Sequence, residues 1–283
     1  MRDLRRLVGW ISARRWARSV VVVLVALFVR CATFGSFPRD GYDEGVYGRY
    51  ATTLATEGVE GFRRLLTAYP TDPRLSFGPP PTRIAYVAVA SLPCRLGGSC
   101  HDDATSLAWI ALVAGVGLCV LSSLLFYRWL DAPAAWWASL LVALSPLGLA
   151  MSRRALQDTW FGVAAIAFIL VCERWKRGPS RRAWLAVMVV GALGLLTKEA
   201  MLVVMMIQLA IQGMNAPRSR LRLLELASAV AGAVLASVGV LAWICGGLES
   251  LGAVTVHYLR QADANPYTLA RQGGRGPAAS STS

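Results

Sequence analysis

Long apolar runs separated by short arginine-rich segments are the feature that most limits what this chain can fold into. Of its 283 residues, 55% are hydrophobic and 16% are charged, whereas a soluble domain carries about 25% charged residues. Because the apolar residues follow one another instead of recurring at helix or strand spacing, they predict membrane spans. We therefore predict an all-α, polytopic membrane protein. Its seven predicted spans are 19–37, 106–129, 134–151, 159–172, 183–196, 200–213 and 223–246.

The distribution of positive charge predicts how the chain crosses the membrane. A net charge of +13 would suggest a nucleic-acid partner in a soluble protein. Here the arginines lie between the apolar runs, so we expect membrane lipids as partners and no nucleic acid. Basic residues concentrate in the N-terminal segment 1–18 and in the loops 173–182 and 214–222, which the positive-inside rule places in the cytoplasm. The prediction is a multi-pass protein of the cell membrane with a cytoplasmic N-terminus.

The segment 38–105 is predicted to be a long first outer loop. Its apolar run 82–92 is too short to cross the bilayer, because a span needs about 20 residues, so we expect a re-entrant or interfacial helix there. A second short interfacial helix is predicted over 45–57, with Gly58 as its stop signal. One face of that helix would carry Val46, Tyr50 and Leu54.

Three smaller features complete the predicted organisation. Arg30, near the outer end of the first span, is expected to extend its guanidinium to the lipid headgroups. Cys94 and Cys100 lie close together in the outer loop and could form a short-loop disulfide in an oxidising compartment. The segment 247–283 is predicted to be an extracytoplasmic, mostly disordered tail, because after Tyr267 it shows no periodicity.

The densest group of acids, tyrosines and arginines begins at Asp43 and Glu44. One of these carboxylates could accept a proton from an attacking hydroxyl group. On a helix, adjacent side chains point about 100° apart, so the two acids cannot both face one substrate. The alternative is that both are N-terminal charges favoured by the dipole of the following helix.

Three more polar groups are candidates for a site on the same predicted outer face. Asp158 opens a span, where it could act on a substrate or simply complement a helix dipole. Lys198 could bind an anion such as phosphate, or it could form a local pair with Glu199. The run His101-Asp102-Asp103 suggests a metal only weakly, since it contains one histidine and no second spaced ligand; a solvated loop is the alternative.

The order of these motifs resembles the GT-C membrane glycosyltransferases of the protein O-mannosyltransferase and lipid A aminoarabinose transferase type (glycosyltransferase family 39-like). The resemblance extends over 30–267 and implies a GT-C-like transmembrane domain at 19–246, corresponding to the N-terminal part of such an enzyme. The motifs that carry it are Asp-Glu-Gly-Val-Tyr-Gly-Arg-Tyr-Ala at 43–51, Pro-Pro-Pro at 79–81, Ser-Arg-Arg-Ala-Leu-Gln-Asp at 152–158 and Leu-Leu-Thr-Lys at 195–198.

The resemblance implies a hexosyltransferase that moves a sugar from a polyprenyl-phosphate-linked donor to a protein or lipid acceptor on the extracytoplasmic side. Asp43 is then the base or acceptor-orienting acid, with Asp158 and Glu44 as further catalytic candidates. The family often carries a lysine before the Pro-Pro segment; in this chain Arg74 or Arg83 would replace it. The residues expected near the lipid phosphate are Lys198, Arg83 and Arg153.

These residues identify no cofactor, although a divalent cation is one possibility that they leave open. Two alternatives to the transferase remain. A transporter or flippase would show polar or broken spans in matched halves, whereas these spans are nearly free of charge. The other alternative is an inactive, truncated fragment that has only a scaffolding role in the membrane.

Overall fold

The computed structural model describes residues 15–36, 41–72, 78–97, 105–215 and 220–264, and within these ranges all regular structure is helical. A short 3₁₀ turn lies at Phe34–Ser36. The α-helices in this described part are α1 (Arg15–Ala32), α2 (Tyr42–Thr56), α3 (Gly58–Ala68), α4 (Ile84–Arg95), α5 (Thr105–Trp129), α6 (Ala132–Leu144), α7 (Pro146–Met151), α8 (Asp158–Arg177), α9 (Arg181–Leu195), α10 (Met201–Asn215), α11 (Arg220–Cys245) and α12 (Leu248–Ala264).

Helix α8 lies between two groups of long helices. On one side it contacts α5, which packs with α1 and α6; on the other it contacts α9 and α10, which pack with α11. The second group is held close by Gly191 in α9, where a Cβ atom would lie 2.6 Å from the Met205 methyl carbon and 3.1 Å from Ala233 Cβ. The absence of a side chain at this point lets α9 approach α10 and α11, and the side chains around it are buried.

Four further helices, α2, α3, α4 and α12, cover one end of the long helices, and we call them the cap layer. Their core is aromatic. The Tyr47 and Tyr86 rings pack edge-on with their centroids 5.0 Å apart, and the Tyr50 and Phe62 rings pack edge-on with their centroids 6.2 Å apart. Edge-on packing is a favoured arrangement of aromatic pairs. The Tyr50 hydroxyl donates to the Pro79 carbonyl at 3.0 Å, which satisfies its polar atom inside the core.

Helix α2 confirms the helix predicted over 45–57 but begins at Tyr42 instead of residue 45. Gly58, expected as a stop signal, separates two helices instead of ending helical structure. Its φ of +65° is a conformation that favours glycine, and the chain turns there into α3. That helix was not predicted; it buries Phe62 and Leu66 on one face.

The tail prediction for 247–283 is corrected by α12. Gly246 and Gly247 have φ values of +82° and +147° and turn the chain from α11 into this helix. Val254 of α12 is buried in the cap-layer core, with Leu251 and Tyr258 packed against that core. These three residues recur at helical spacing, a signal that the polar composition of the segment concealed. Residues 265–283 lie outside the described part.

Two of the described helices are long and apolar enough to cross a membrane, and they are Thr105–Trp129 and Leu221–Cys245. Other apolar helices are shorter: α6 has 13 residues and therefore rises about 20 Å. The predicted span 134–151 is interrupted at Ser145, whose hydroxyl accepts from the Gly148 amide, and Pro146 begins α7. A proline at the first position of a helix is favoured, but it prevents the preceding helix from continuing.

The long helices leave large apolar side chains exposed. Such contiguous exposed apolar surface is typical of membrane contact or of an interface with another protein. The most exposed members on the long helices include Phe28, Val113, Leu141, Leu235 and Trp243.

The sequence predicts that Arg30 extends toward the lipid headgroups. In the structure, Arg30 is instead 1% exposed and lies between α1, α5 and α6. Its Nη1 donates to the Ala143 carbonyl at 3.1 Å and to the Ala26 carbonyl at 3.2 Å. Gly115 makes room for it, since a Cβ there would lie 2.8 Å from Arg30 Nε. The C-terminal carbonyls of α6 thus receive a cation, which is a favourable helix-dipole interaction.

Cys94 is disulfide-bonded, in agreement with the expectation of a bridge in this loop, and Cys100 lies outside the described residues. The other cysteines of the described part are free.

Candidate functional site

The charged and tyrosine side chains of the cap layer meet those at the neighbouring ends of α8 and α9, and we call this group the polar cluster. It forms because α2 and α8 begin, and α9 ends, at the same end of the long helices. The members of the polar cluster are Asp43, Glu44, Tyr47, Arg83, Arg154, Asp158, Lys198, Glu199 and Tyr258.

Glu44 is completely buried and forms an ion pair with Arg154, whose Nε lies 2.6 Å from Oε1. The carboxylate folds back over Gly41, so closely that a Cβ at this glycine would collide with Glu44 Oε2. The hydrogen bond to Glu44 raises the pKa of Arg154. Glu44, predicted as a further catalytic candidate, therefore fastens the start of α2 to the loop before α8 and presents no carboxylate to solvent.

Asp43 differs from Glu44 in its environment. It lies in the first turn of α2 and is exposed, and it makes no hydrogen bond or ion pair with any residue in the described part of the chain. Desolvation by the surrounding protein and the charge of Glu44 raise the pKa of Asp43, although Arg83 and Arg154 oppose the shift. The result is an available carboxylate with an increased tendency to accept a proton.

Asp158 and Lys198 form an ion pair, with Nζ 2.5 Å from Oδ1. Asp158 is the first residue of α8, so its charge also complements the helix dipole. Lys198 lies in the loop after α9, and its Nζ is 5.8 Å from the centre of the Phe161 ring. The two residues predicted as a second acid and a phosphate ligand are therefore brought together, and Lys198 pairs with Asp158 instead of its neighbour Glu199.

Arg83 connects the cap layer to the loop after α9. Its Nη1 donates to the Tyr47 hydroxyl at 2.7 Å and its Nη2 to Glu199 Oε1 at 2.9 Å, while the Tyr258 hydroxyl lies 3.5 Å from the same oxygen. Burial raises the pKa of Tyr47. Burial alone would also raise the pKa of Glu199, but the charge and hydrogen bond of Arg83, a backbone hydrogen bond and the charge of Lys198 together lower the pKa. A backbone bond at 3.0 Å, from Ala85 N to Leu196 O, holds the two segments in place.

Arg153, the third residue expected near a phosphate, has a different environment. Its Nε donates to the Leu149 carbonyl at 2.9 Å and its Nη1 to the Thr33 carbonyl at 3.1 Å. These bonds tie α7 to the end of α1. The adjacent Arg154 pairs with Glu44, an acid of the polar cluster.

A cavity of about 260 Å³ adjoins Arg83. Glu199 and Tyr258 also line its polar side. The remaining wall is mainly apolar and is formed by α9, α11 and α12. The apolar residues of this wall are Leu195, Leu241, Leu251, Val254 and Leu259. A cavity with one charged side and one apolar side suits an amphiphilic ligand.

No three His, Cys, Asp or Glu side chains within the described ranges are grouped so as to hold a metal ion. One oxygen of Asp158 is already bonded to Lys198, which reduces its capacity as a ligand. The weak metal candidate His101-Asp102-Asp103 and the proposed substitute Arg74 lie outside the described part.

Four members of the polar cluster were not assigned to a site from the sequence. In the sequence, Tyr47 is only one residue of the 43–51 motif, and Glu199 is only a neighbour of Lys198. Arg154 and Arg153 are indistinguishable in a sequence, because only the loop geometry decides which one meets Glu44. Tyr258 lies on α12, within the segment for which the sequence predicts a disordered tail.

Comparisons of the whole chain with protein-family models, with curated proteins and with solved structures give no significant match.

Proposed function

We propose that this chain is a membrane glycosyltransferase of the GT-C type that moves a sugar from a polyprenyl-phosphate-linked donor to a hydroxyl-bearing protein or lipid acceptor. The observation that carries the proposal is the Asp43 carboxylate, which has no hydrogen bond or ion pair with the described residues and lies near cations. The charges of Arg83 and Arg154 lower the pKa of Asp43 and that of Asp158 raises it, so each of these three groups lies within electrostatic range of Asp43. A base and cations so placed suit group transfer from a phosphate leaving group.

In the proposed reaction, the acceptor hydroxyl oxygen attacks the anomeric carbon of the donor sugar. As the new C–O bond forms, the bond from that carbon to the phosphate oxygen breaks, and the electron pair leaves with the lipid phosphate. The proton of the acceptor hydroxyl passes to the Asp43 carboxylate. Its raised pKa favours this transfer, because a base with a pKa closer to the working pH accepts a proton more readily.

The departing lipid phosphate gains negative charge during this step, and nearby cations stabilise it. Arg83 lines the cavity next to the apolar wall formed by α9, α11 and α12, which suits a phosphate at one end and a lipid tail at the other. Lys198 uses one donor on Asp158, and an ammonium group has two more. We assign no step to a divalent cation.

A membrane location fits the surface of the long helices. Two of them are long and apolar enough to cross. In the proposed topology the polar cluster faces the outside, as the arginine distribution predicts. The charged groups of the site lie at the helix ends and in the cap layer. This arrangement favours a transferase over the alternative transporter, which would need polar groups within its spans.

The test is sugar transfer by the full chain in membranes supplied with radiolabelled polyprenyl-phosphate mannose and an extracted acceptor fraction. A nucleotide sugar serves as the control donor. We expect transfer from the lipid-linked donor only, and a loss of at least about a hundredfold for Asp43→Asn, the usual range for removing a general base.

Glu249→Gln is the matched control, because Glu249 is an exposed acid in the first turn of α12 and has no ion pair within the described ranges. It should transfer sugar at the wild-type rate. Equal transfer by wild type and Asp43→Asn would remove Asp43 from the mechanism. Absence of transfer from several lipid-linked hexoses would refute the proposed function.

A further inference from the structure

A second cavity, of about 670 Å³, lies at the opposite end of α8 and α9. Helix α8 has 20 residues from Asp158 to Arg177 and is therefore about 30 Å long. Because α9 returns beside α8, the end of α8 and the start of α9 lie far from the polar cluster. This cavity is thus separate from the proposed transfer site.

Arginine side chains dominate the lining of this cavity. Arg128 comes from the end of α5, Arg174 and Arg177 from the last turn of α8, and Arg182 from the first turn of α9. No carboxylate is among the described residues that line it. None of the four arginines forms an ion pair within the described part of the chain.

Four cations around one space repel one another, and an anion in that space would relieve the repulsion. The N-terminus of α9 adds to the positive potential, because the amides of its first turn point toward the cavity end of the helix. The Ser180 hydroxyl accepts a hydrogen bond from one of these amides, that of Ala183, at 3.2 Å. This bond does not remove the helix dipole, which still contributes to the positive potential. The planar donor fork of arginine matches the oxygens of a phosphate group.

We propose that this arginine-lined cavity binds a phosphate group, and that the headgroup of an anionic phospholipid is the source that fits it. Arg128 ends α5, which is apolar and long enough to cross a bilayer, so the cavity lies at the depth of the headgroups. Ala183 and Ala186 give the cavity an apolar side suited to the glycerol end of a lipid. Basic pockets between helices on the cytoplasmic side bind anionic headgroups in this way.

The test is native mass spectrometry of the purified full chain in detergent, titrated with phosphatidylglycerol. Phosphatidylcholine is the zwitterionic control lipid, and inorganic phosphate is titrated separately. The double variant Arg174→Gln/Arg177→Gln removes two charges from the cavity. The matched control Lys176→Gln/Arg222→Gln removes two charges from exposed residues at the same end that do not line the cavity.

We expect the cavity variant to weaken phosphatidylglycerol binding by roughly 30-fold, since each near-surface cation contributes about fivefold. The control variant should weaken it by less than about threefold. Arg182→Gln, on a different helix, should lower the affinity about fivefold and provides an independent check if the double variant is unstable.

The two sources of phosphate give different results. Binding of inorganic phosphate with the same arginine dependence, without binding of phosphatidylglycerol, would keep the phosphate site and overturn the lipid as its source. The proposal as a whole is overturned if neither ligand binds, or if the cavity and control variants weaken lipid binding equally, because diffuse surface charge would then explain the result.

Discussion

Replacing Arg154 by methionine tests whether the buried ion pair with Glu44 holds the cap layer in place. Glu44 has a side-chain exposure of 0%, whereas Arg154 is 34% exposed. Removing one member of a buried pair costs about 3–5 kcal/mol. Because water reaches part of Arg154, we expect Arg154→Met to lower the free energy of unfolding by a smaller amount, about 2–3 kcal/mol. A chain of this size should then unfold at a temperature roughly 5 °C lower.

The two partners should respond unequally. Arg154→Met leaves a carboxylate inside the protein with no cation beside it, and burial of an unpaired charge is costly. Glu44→Gln leaves an arginine that can turn toward water. This variant should therefore lose less free energy of unfolding, about 1 kcal/mol. The double variant should be less destabilised than the sum of the two single variants, by about 1–2 kcal/mol.

The measurement is thermal unfolding of the purified full chain in mild detergent, followed by far-ultraviolet circular dichroism. Arg64→Met is the control: its ion pair with Glu57 lies at the surface, with side-chain exposures of 69% and 49%, and should contribute less than about 0.5 kcal/mol. The reasoning is refuted if Arg154→Met costs the same in the wild-type and Glu44→Gln backgrounds, since the two side chains would then not be coupled.

Three further variants probe the same region by thermal unfolding. Because the pKa of Asp43 is raised in the folded protein, its charge lowers stability above that pKa. Asp43→Asn should therefore stabilise the protein at neutral pH, with a gain that disappears as the pH falls through the folded-state pKa toward the unfolded value; a constant gain would contradict this. Gly41→Ala should cost about 1–3 kcal/mol by displacing the Glu44 carboxylate, and a Glu44→Ala background should abolish that cost. Tyr47→Phe should cost about 1.5 kcal/mol by removing the acceptor of Arg83, and an unchanged unfolding temperature would show that this bond is dispensable.

Helices were predictable wherever an apolar run was long. Each predicted span contains a described helix, because an uninterrupted apolar run leaves the backbone few other ways to satisfy its hydrogen bonds when water is excluded. Seven crossings remain a prediction, and the helix lengths support two. Ser145 followed by Pro146 is a sequence signal for a new helix start. The apolar residues on both sides of this pair nevertheless favour one continuous span, so the break was not predicted.

The amphipathic helices were harder to predict. Helix α12 was assigned to a disordered tail, because its few apolar residues have no obvious partner until α3 and α11 are packed beside it. Helix α3 was missed because Gly58 was expected to end helical structure, while its positive φ allows a turn into the next helix. Both helices acquire their stability from the cap-layer core, and a local pattern does not reveal that core.

The sequence by itself determined the apolar character of the chain, the positions of most helices and the asymmetric placement of arginines. These properties depend on composition and short-range periodicity. The choice of Asp43 as the leading candidate acid came instead from the resemblance of the 43–51 motif to the GT-C enzymes. Only the tertiary structure decided that Glu44 meets Arg154, 110 residues away along the chain, while Asp43 pairs with no residue in the described ranges. It also separated Lys198 from Glu199 by giving each a different partner. Ion pairs of this kind depend on which helix ends pack together, and that information is absent from any local stretch of residues.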